Sequence, residues 1–417
     1  MNSEQFEQLY LHKRILDSLS KKGYREPTAI QSKTIPLLLQ GKDLLATAQT
    51  GTGKTAAFSL PILHILNERA AEKKGHIRAL VLTPTRELAL QVDQSFRHYG
   101  CYLLSRTTVV LGGVSTKLQI KSLRRKPDIL VATPGRLIDL IGQGYIKLDH
   151  VEMLVLDEAD RMLDMGFIHD VRKIVSKTPR SRQTMLFSAT LTPEIKRLAS
   201  DMLNCPSTVS VTPPASVPDK IDQKVFFVEQ TDKRKLLTDV LNDETVSRAL
   251  VFARTKRHAD NLVRQLLKNG IPADAIHSNK SQNTRQKALA AFDRGRIKVL
   301  VGTDIVSRGI DVDGISHVIN YELPEDPESY VHRIGRTARA GTTGVALSFC
   351  NANEVSLLRS IEKLTKNTLT RFDDHPFHSS LIASFHERSV KASASPGRTK
   401  RNRKVRQQFR PGRRAIR

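Results

Sequence analysis

The 417-residue chain has no tryptophan, and only 5% of its residues are aromatic. Base stacking therefore cannot be its main way of holding a ligand, and any nucleic-acid contact must lean on phosphate. Its three cysteines, Cys101, Cys205 and Cys350, are scattered and form no C-x-x-C pair. That excludes a disulfide framework or a zinc site and leaves isolated, buried thiols in a reducing compartment as the expectation. No apolar run approaches the roughly 18 residues a membrane span needs, and the opening MNSEQFEQLYLHKR has no apolar signal core. Membrane insertion and export are thus not expected, and the cytoplasm is the expected location. Acidic residues are scarce: 42 Asp and Glu face 67 Lys and Arg, a net charge of +25. Residues 388–417 carry 12 Lys and Arg and no acid, which leaves +13 on the remainder. The body is basic in its own right, as a phosphate-tracking surface would be. The segment after it is too polar to fold and is expected to be a disordered, electrostatic tether.

What is present begins with Ala48–Thr55, AQTGTGKT, placed between the apolar run Leu44–Ala46 and a helical pattern over Ala56–Leu66. A strand, a glycine loop ending in Lys-Thr and then a helix is an arrangement that cradles a nucleoside triphosphate. Backbone N–H groups of Ala48, Gln49, Thr50, Gly51, Thr52 and Gly53 can close around phosphate oxygens, and the helix start adds its positive dipole end. Lys54 can reach the β- and γ-phosphates, and the Thr55 hydroxyl can ligate Mg²⁺. The G-x-x-x-x-G-K-[ST] pattern departs at its first glycine, which is Ala48 here. A distant second signal agrees: Met153–Leu156, an apolar strand, runs into Asp157-Glu158-Ala159-Asp160. Asp157 is placed to hold Mg²⁺ and Glu158 to orient the attacking water.

Short apolar runs alternate with helical patterns twice along the chain, which predicts parallel sheets covered on both faces. Ala79–Thr83, Thr107–Leu111, Ile129–Ala132, Met153–Leu156 and Thr184–Phe187 read as strands in the first half, with a crossover helix over Arg86–His98. Lys224–Val228, Ala249–Phe252, Val299–Val301, His317–Asn320 and Val345–Phe349 follow in the second, with an amphipathic helix over Lys256–Leu267. The expected organisation is an ATP-binding α/β domain over 1–208, a proline-rich linker over 209–219, a second α/β domain over 220–368 and a basic, disordered tail over 369–417. His375, His378 and His386 in that last stretch are expected at the surface.

The order AQTGTGKT, PTRELA (Pro84–Ala89), Gly112-Gly113, TPGR (Thr133–Arg136), DEAD (Asp157–Asp160) and SAT (Ser188–Thr190) resembles the DEAD-box RNA helicases. VFARTK (Val251–Lys256), TDIVSRGID (Thr303–Asp311) and HRIGRTARAG (His332–Gly341) complete the set in family order. SVTPPASVPD and HSNKSQ are similar to the bacterial RhlE branch. The resemblance implies two RecA-like domains in tandem, ATP and Mg²⁺ as cofactors, and RNA as the partner, with ribosomal or RNA-decay complexes as candidate assemblies.

Residue by residue, the stretch Gly23–Gln31 resembles the family's Q motif, with Phe6 seventeen residues upstream of its glycine. Gln31 would read the adenine edge, because an amide both donates and accepts, and Phe6, Tyr24 or Arg25 would pack the base. Arg336 and Arg339 would be arginine fingers reaching the γ-phosphate, and Asp311 would hold the ribose. Arg333, Arg336 and Arg339 stand three apart, so on a helix they would share one face. No acid occurs between Tyr330 and Gly344 to pair them. Pro84, Thr85, Arg86, Gly113, Thr133, Gly135 and Arg136 of the first domain, with Arg254, Gln282, Arg285 and Thr303 of the second, would contact the RNA backbone. Ser188, Thr190 and His332 would couple nucleotide to closure. Ser278 and Ala338 stand where family sequences usually have glycine. The implied activity is ATP-dependent local unwinding of short RNA duplexes or remodelling of RNA–protein complexes. The rivals are a non-catalytic RNA-annealing or ribosome-assembly scaffold and a DNA translocase.

Overall fold

The computed structural model describes residues 5–48, 51–69, 75–211, 221–304, 312, 314–338 and 343–394. Lobe one holds strands β1 (Leu44–Thr47), β2 (Ala79–Leu82), β3 (Thr107–Val110), β4 (Ile129–Ala132), β5 (Met153–Leu156), β6 (Gln183–Ser188) and β7 (Ser207–Ser210). Lobe two holds β8 (Ile221–Phe227), β9 (Ala249–Phe252), β10 (Ala273–Ile276), β11 (Val299–Gly302), β12 (His317–Asn320), β13 (Gly344–Cys350) and β14 (Thr370–Arg371). Each set forms one seven-stranded sheet, in the orders β3-β4-β2-β5-β6-β1-β7 and β10-β11-β9-β12-β13-β8-β14. Every pairing within the two sheets is parallel. Two tandem RecA-like domains are thus present.

The apolar runs form strands because both of their faces are covered. Along β2, Ala79 and Val81 join a core with Phe58, Phe96 and Phe187, while Leu80 and Leu82 join an opposite core with Leu154 and Leu186. In the aromatic core the Phe58 ring lies 5.4 Å from Phe187 and 6.3 Å from Phe96. The crossover helices run Arg86–Tyr99 and Lys256–Lys268, each opened by a threonine whose side chain accepts from a backbone N–H. The strands all point the same way, so their carboxyl ends gather the loops that carry the site.

Several boundaries differ from expectation. β7 runs to Ser210, inside the segment read as linker, because its residues pair with β1 in register Ala46↔Val209; residues 212–220 of that linker lie outside the described residues. β10 escapes the sequence pattern because Pro272 precedes it and Asp274 interrupts its apolar run. The described part of the segment read as a disordered tail is folded. β14 pairs with β8, and the helix Ser380–Ala394 places Ile382 and Ala383 in one cluster with Leu358 and Ile361. His386 on that helix is buried, not a surface residue, and pairs with Glu362 at 3.0 Å. Residues 395–417 lie outside the described residues. Among the cysteines only Cys350 is buried; Cys101 and Cys205 are exposed and free, against the expectation of buried thiols. No helix among the described residues is long and apolar enough to cross a membrane.

Candidate functional site

β1 ends at Thr47, and the loop behind it leads to Lys54, the first residue of the helix Lys54–Glu68. Ala48 continues the strand's bonding, its N–H donating to the Ser188 carbonyl at 3.0 Å. The position therefore needs no glycine. Gly53 does: its φ is +92°, and a side chain there would collide with the Gln31 amide. Gln31 is buried, donates to the Gly53 carbonyl at 3.1 Å and accepts from the Thr28 N–H at 2.9 Å. It ties the Q-motif helix to the phosphate loop, and one N–H and one lone pair of its amide remain for a base. Phe6 is buried, its N–H donating to the Arg25 carbonyl at 3.3 Å, whereas Tyr24 is exposed. Thr55 is half-buried at the second helical position; Gln49 and Thr50 lie outside the described residues.

The Lys54 ammonium is buried and has no hydrogen-bond partner, and the same holds for Oδ1 of Asp157. Burial, opposed by Lys54 and reinforced by Glu158, pushes the Asp157 pKa up to about 7. An orphaned carboxylate oxygen that would rather hold a proton in a dry site suits a hard divalent cation. Glu158 behaves oppositely. Burial pushes its carboxyl up, but Arg161, Lys54 and Arg336 outweigh that and hold it below its ordinary value. Glu158 is thus ionised at neutral pH. It sits in the left-handed region at φ +53° and pairs with Arg161 three residues on.

Arg336 comes from the other lobe. It is buried and donates from Nε to the His332 carbonyl at 3.3 Å. Arg336 lies near enough to help lower the Glu158 pKa, so a lobe-two guanidinium acts electrostatically on a lobe-one carboxylate. Arg333 and Arg336 do not share a helical face as expected. The helix Pro327–Ile334 ends before Arg336, and Arg333 is fully buried against Asp304 at 2.6 Å and over the Phe252 ring at 4.8 Å. The acid that pairs Arg333 lies far upstream in sequence, where local inspection does not find it. Ala338 sits at φ +55°, a conformation glycine adopts without cost. Ser278 is not among the positive-φ residues, so its backbone conformation does not require glycine. Arg339 and Asp311 lie outside the described residues.

Asp160 joins the two halves of the lobe-one site. Its Oδ2 accepts from the Ala189 N–H at 3.0 Å and from the Thr190 N–H at 3.1 Å, with the Thr190 hydroxyl at 3.4 Å. Ser188 is buried with an unpartnered hydroxyl. The cap of the next helix, Pro193–Met202, is Thr192, so Ser188 and Thr190 are not spent on it.

A second cluster gathers where the lobes meet. Arg86, Arg136 and Arg285 approach closely enough that burial first, and then the other two cations, lower the Arg86 pKa against the pull of Glu87. The Arg86 guanidinium lies over Gly113, at φ +73°, where a side chain would occupy its place. Arg136 donates to the Val114 carbonyl at 3.1 Å, and Gly135 is exposed. Thr85 is a buried helix cap, and Pro84, Thr133 and Thr303 are buried as well, which leaves backbone more than side chain for contact. Arg254 is exposed and reaches Glu354 at 3.4 Å. Gln282 and Arg285, expected to face RNA, are buried instead on Glu87 of lobe one: Gln282 Nε2 donates at 3.2 Å, and Arg285 pairs with the same oxygen. An acid offered by the opposite lobe claims them first. Glu87 is the functional residue that sequence reading passed over, although it stands inside PTRELA.

A family model for DEAD/DEAH box helicases matches residues 28–198, and one for the helicase conserved C-terminal domain matches residues 232–341. The DEAD-box ATP-dependent RNA helicase CshA of Geobacillus kaustophilus is 44% identical over 366 residues, covering 88% of this chain and 78% of the relative. This chain belongs to the DEAD-box ATP-dependent RNA helicases. Among solved structures, S. cerevisiae Dbp5 bound to RNA and ADP BeF3 superposes with a TM-score of 0.79 at 29% identity, over 93% of this chain and 99% of that one. A variant of the same yeast protein bound to Nup159, Gle1, IP6 and ADP gives 0.61 at 30% identity, over 92% and 99%. As a DEAD-box helicase this chain binds ATP and RNA and couples ATP hydrolysis to RNA unwinding.

Proposed function

We propose that ATP lies in the cleft between the lobes, with Lys54 and the N–H groups of Ala48–Thr55 on its phosphates, Gln31 on adenine and Asp311 on the ribose. Thr55 and Asp157 are the residues that would hold Mg²⁺, which supplies charge neutralisation at the phosphates when bound. Glu158, kept ionised by its three cations, orients the attacking water and accepts its proton. Arg336 and Arg339 stabilise the charge that develops on the transferred group. Arg86, Arg136, Gly113, Gly135, Arg254 and the backbone at Pro84, Thr85, Thr133 and Thr303 take the RNA phosphates. Gln282 and Arg285 hold the lobes in register and act on RNA through that closure. Asp160, Ser188, Thr190 and His332 link nucleotide to lobe closure, which bends RNA until a short duplex loses a strand.

The observation that carries this reading is that Lys54, Glu158 and Arg336 are all buried and electrostatically coupled, with the Lys54 ammonium making no hydrogen bond. The test is ATP and GTP turnover by the full chain with no nucleic acid, with RNA and with DNA. RNA stimulation selective for ATP is expected. Turnover equal on DNA makes it a DNA translocase, equal use of GTP removes the role of Gln31, and no turnover leaves an RNA-annealing scaffold.

Contact made through phosphate carries little sequence preference. That supports ribosomal or RNA-decay particles as substrates, to be checked by co-sedimentation with them. Exposed, free Cys101 and Cys205 support a reducing, cytoplasmic location, which fractionation tests. The finer RhlE-like placement rests on SVTPPASVPD and HSNKSQ, while the relative reported above is named CshA; a tree of full-length sequences decides it.

A further inference from the structure

We propose that the amino-terminal edge of the lobe-one sheet carries a second RNA-binding groove, separate from the clamp between the lobes. Residues just ahead of or at the start of the four adjacent strands β2, β5, β6 and β1 line a cavity of about 980 Å³. A second cavity of about 660 Å³ continues toward the helices Ile168–Val175 and Pro193–Met202, and the two share Asp43, Arg180, Arg182 and Asn204. The ATP loop leaves the opposite ends of the same strands. Strands of four residues at about 3.3 Å each keep the two sites roughly 13 Å or more apart.

The groove's acids are mostly committed, whereas four of its six Lys and Arg residues are not. Both oxygens of Asp43 accept backbone N–H groups, from Thr184 at 2.7 Å and Asn204 at 2.6 Å. Glu152 is held by Arg78 through both of its oxygens, and Asp201 by Arg172 at 2.9 Å. Asp149 remains. Against it stand Lys42, Arg69, Arg180 and Arg182, none of which has a carboxylate within ion-pair distance among the described residues. Arg182 donates to the Pro179 carbonyl at 2.8 Å, yet its Nε is buried without a partner. Unpaired cations along a concave surface focus positive potential and draw polyanions.

Three features select RNA over an acidic protein. Guanidinium forks match phosphate oxygens in pairs. The His150 ring lines the groove beside His76, with centroids 4.1 Å apart, and offers a face on which an unpaired base can stack. Protein interfaces instead rest on buried apolar anchors, and the apolar residues here, Ile65, Val151 and Met153, are themselves buried in the lobe. The choice of RNA rests on the helicase reading above. An RNA strand leaving the clamp would be at high local concentration around this edge, so the groove would favour long substrates over short ones.

The test uses the full chain and its Arg69→Glu/Arg180→Glu double variant, both positions being exposed and so carrying little folding load. A Lys42→Glu/Arg180→Glu variant serves as an independent second. Two fluorescent single strands are titrated, one long enough only for the clamp and one several times longer, at several salt concentrations. Long-strand affinity at low salt should fall about tenfold, and its log K against log salt slope should become shallower by roughly 1.4, at about 0.7 for each of two phosphates lost. Short-strand affinity and short-strand-stimulated ATP turnover should stay unchanged. Unchanged long-strand binding, or parallel loss on both strands, overturns the groove. So does polyglutamate displacing the long strand as well as RNA of equal charge, which would make the surface a site for acidic protein. If the wild type binds neither strand, the helicase reading fails instead, and the two failures are distinguishable.

Discussion

Lysine occupies the same place in both lobes and is treated in opposite ways. Lobe one's strand order recurs strand for strand in lobe two, and in each lobe the helix that follows its first strand in sequence, β1 or β8, opens on lysine: Lys54 in one, Lys233 in the other. Lys54 is buried with its ammonium unpartnered. Lys233 is buried with its ammonium fully engaged, donating to the carbonyls of Tyr321 and Phe349 at 3.0 Å each and to Glu354 at 2.5 Å. The acids diverge in parallel. After β5, Asp157 keeps an orphaned oxygen, whereas after β12, Glu322 accepts from the Arg254 N–H at 2.7 Å and stands 3.2 Å from His258. One scaffold is thus left open for a ligand in lobe one and closed by its own side chains in lobe two, which contributes Arg336 from outside instead.

The sharpest way to break that division is to remove what lobe two donates. Arg336→Ala should lower RNA-stimulated ATP turnover by about 10³–10⁵ with nucleotide affinity less affected; single-turnover hydrolysis measures it. Glu158→Gln keeps size and hydrogen bonding but loses the basic carboxylate, so turnover should fall by about 10²–10⁴ while ATP and RNA still bind and a closed complex accumulates. Near-normal hydrolysis in this variant would sink the water-positioning role. The two lysines can then be set against each other. Lys233→Met strands Glu354 as a buried, less-compensated charge and should cost about 3–5 kcal/mol of stability in denaturant unfolding. Lys54→Met should abolish turnover and cost less stability than Lys233→Met, since its ammonium makes no hydrogen bond, although Asp157 and Glu158 lose a nearby cation. Equal destabilisation by both would erase the contrast. Smallest of all, Ala338→Gly relieves a left-handed alanine and should stabilise by about 1 kcal/mol, read as a higher midpoint with unchanged m.

The short motifs and both sheets were legible because their logic is local. An apolar run, a glycine loop and a Lys-Thr pair lie within a dozen residues, and a strand covered on both faces shows its apolar character without reference to its neighbours. What escaped depends on partners remote in sequence. Arg333 looked unpaired because Asp304 lies 29 residues away in the chain, and Gln282 and Arg285, which the family resemblance assigns to RNA, are held by Glu87 of the other lobe. The segment 369–394 looked structureless since β14 is two residues long and takes its register from β8. Lys233 carried no signal at all: its three acceptors lie 88 to 121 residues downstream.

The Glu87–Arg285 bridge has a mechanical side. Both groups are desolvated on closure, and that loss of hydration offsets much of their attraction. Such a pair does little to hold two bodies together, but it strongly penalises misalignment, because a shift by one side chain leaves a buried charge alone. It behaves as a locating dowel: it fixes where lobe two seats on lobe one and offers little resistance to lifting off. A motor that must release its track after every turnover is better served by such a fitting than by a latch.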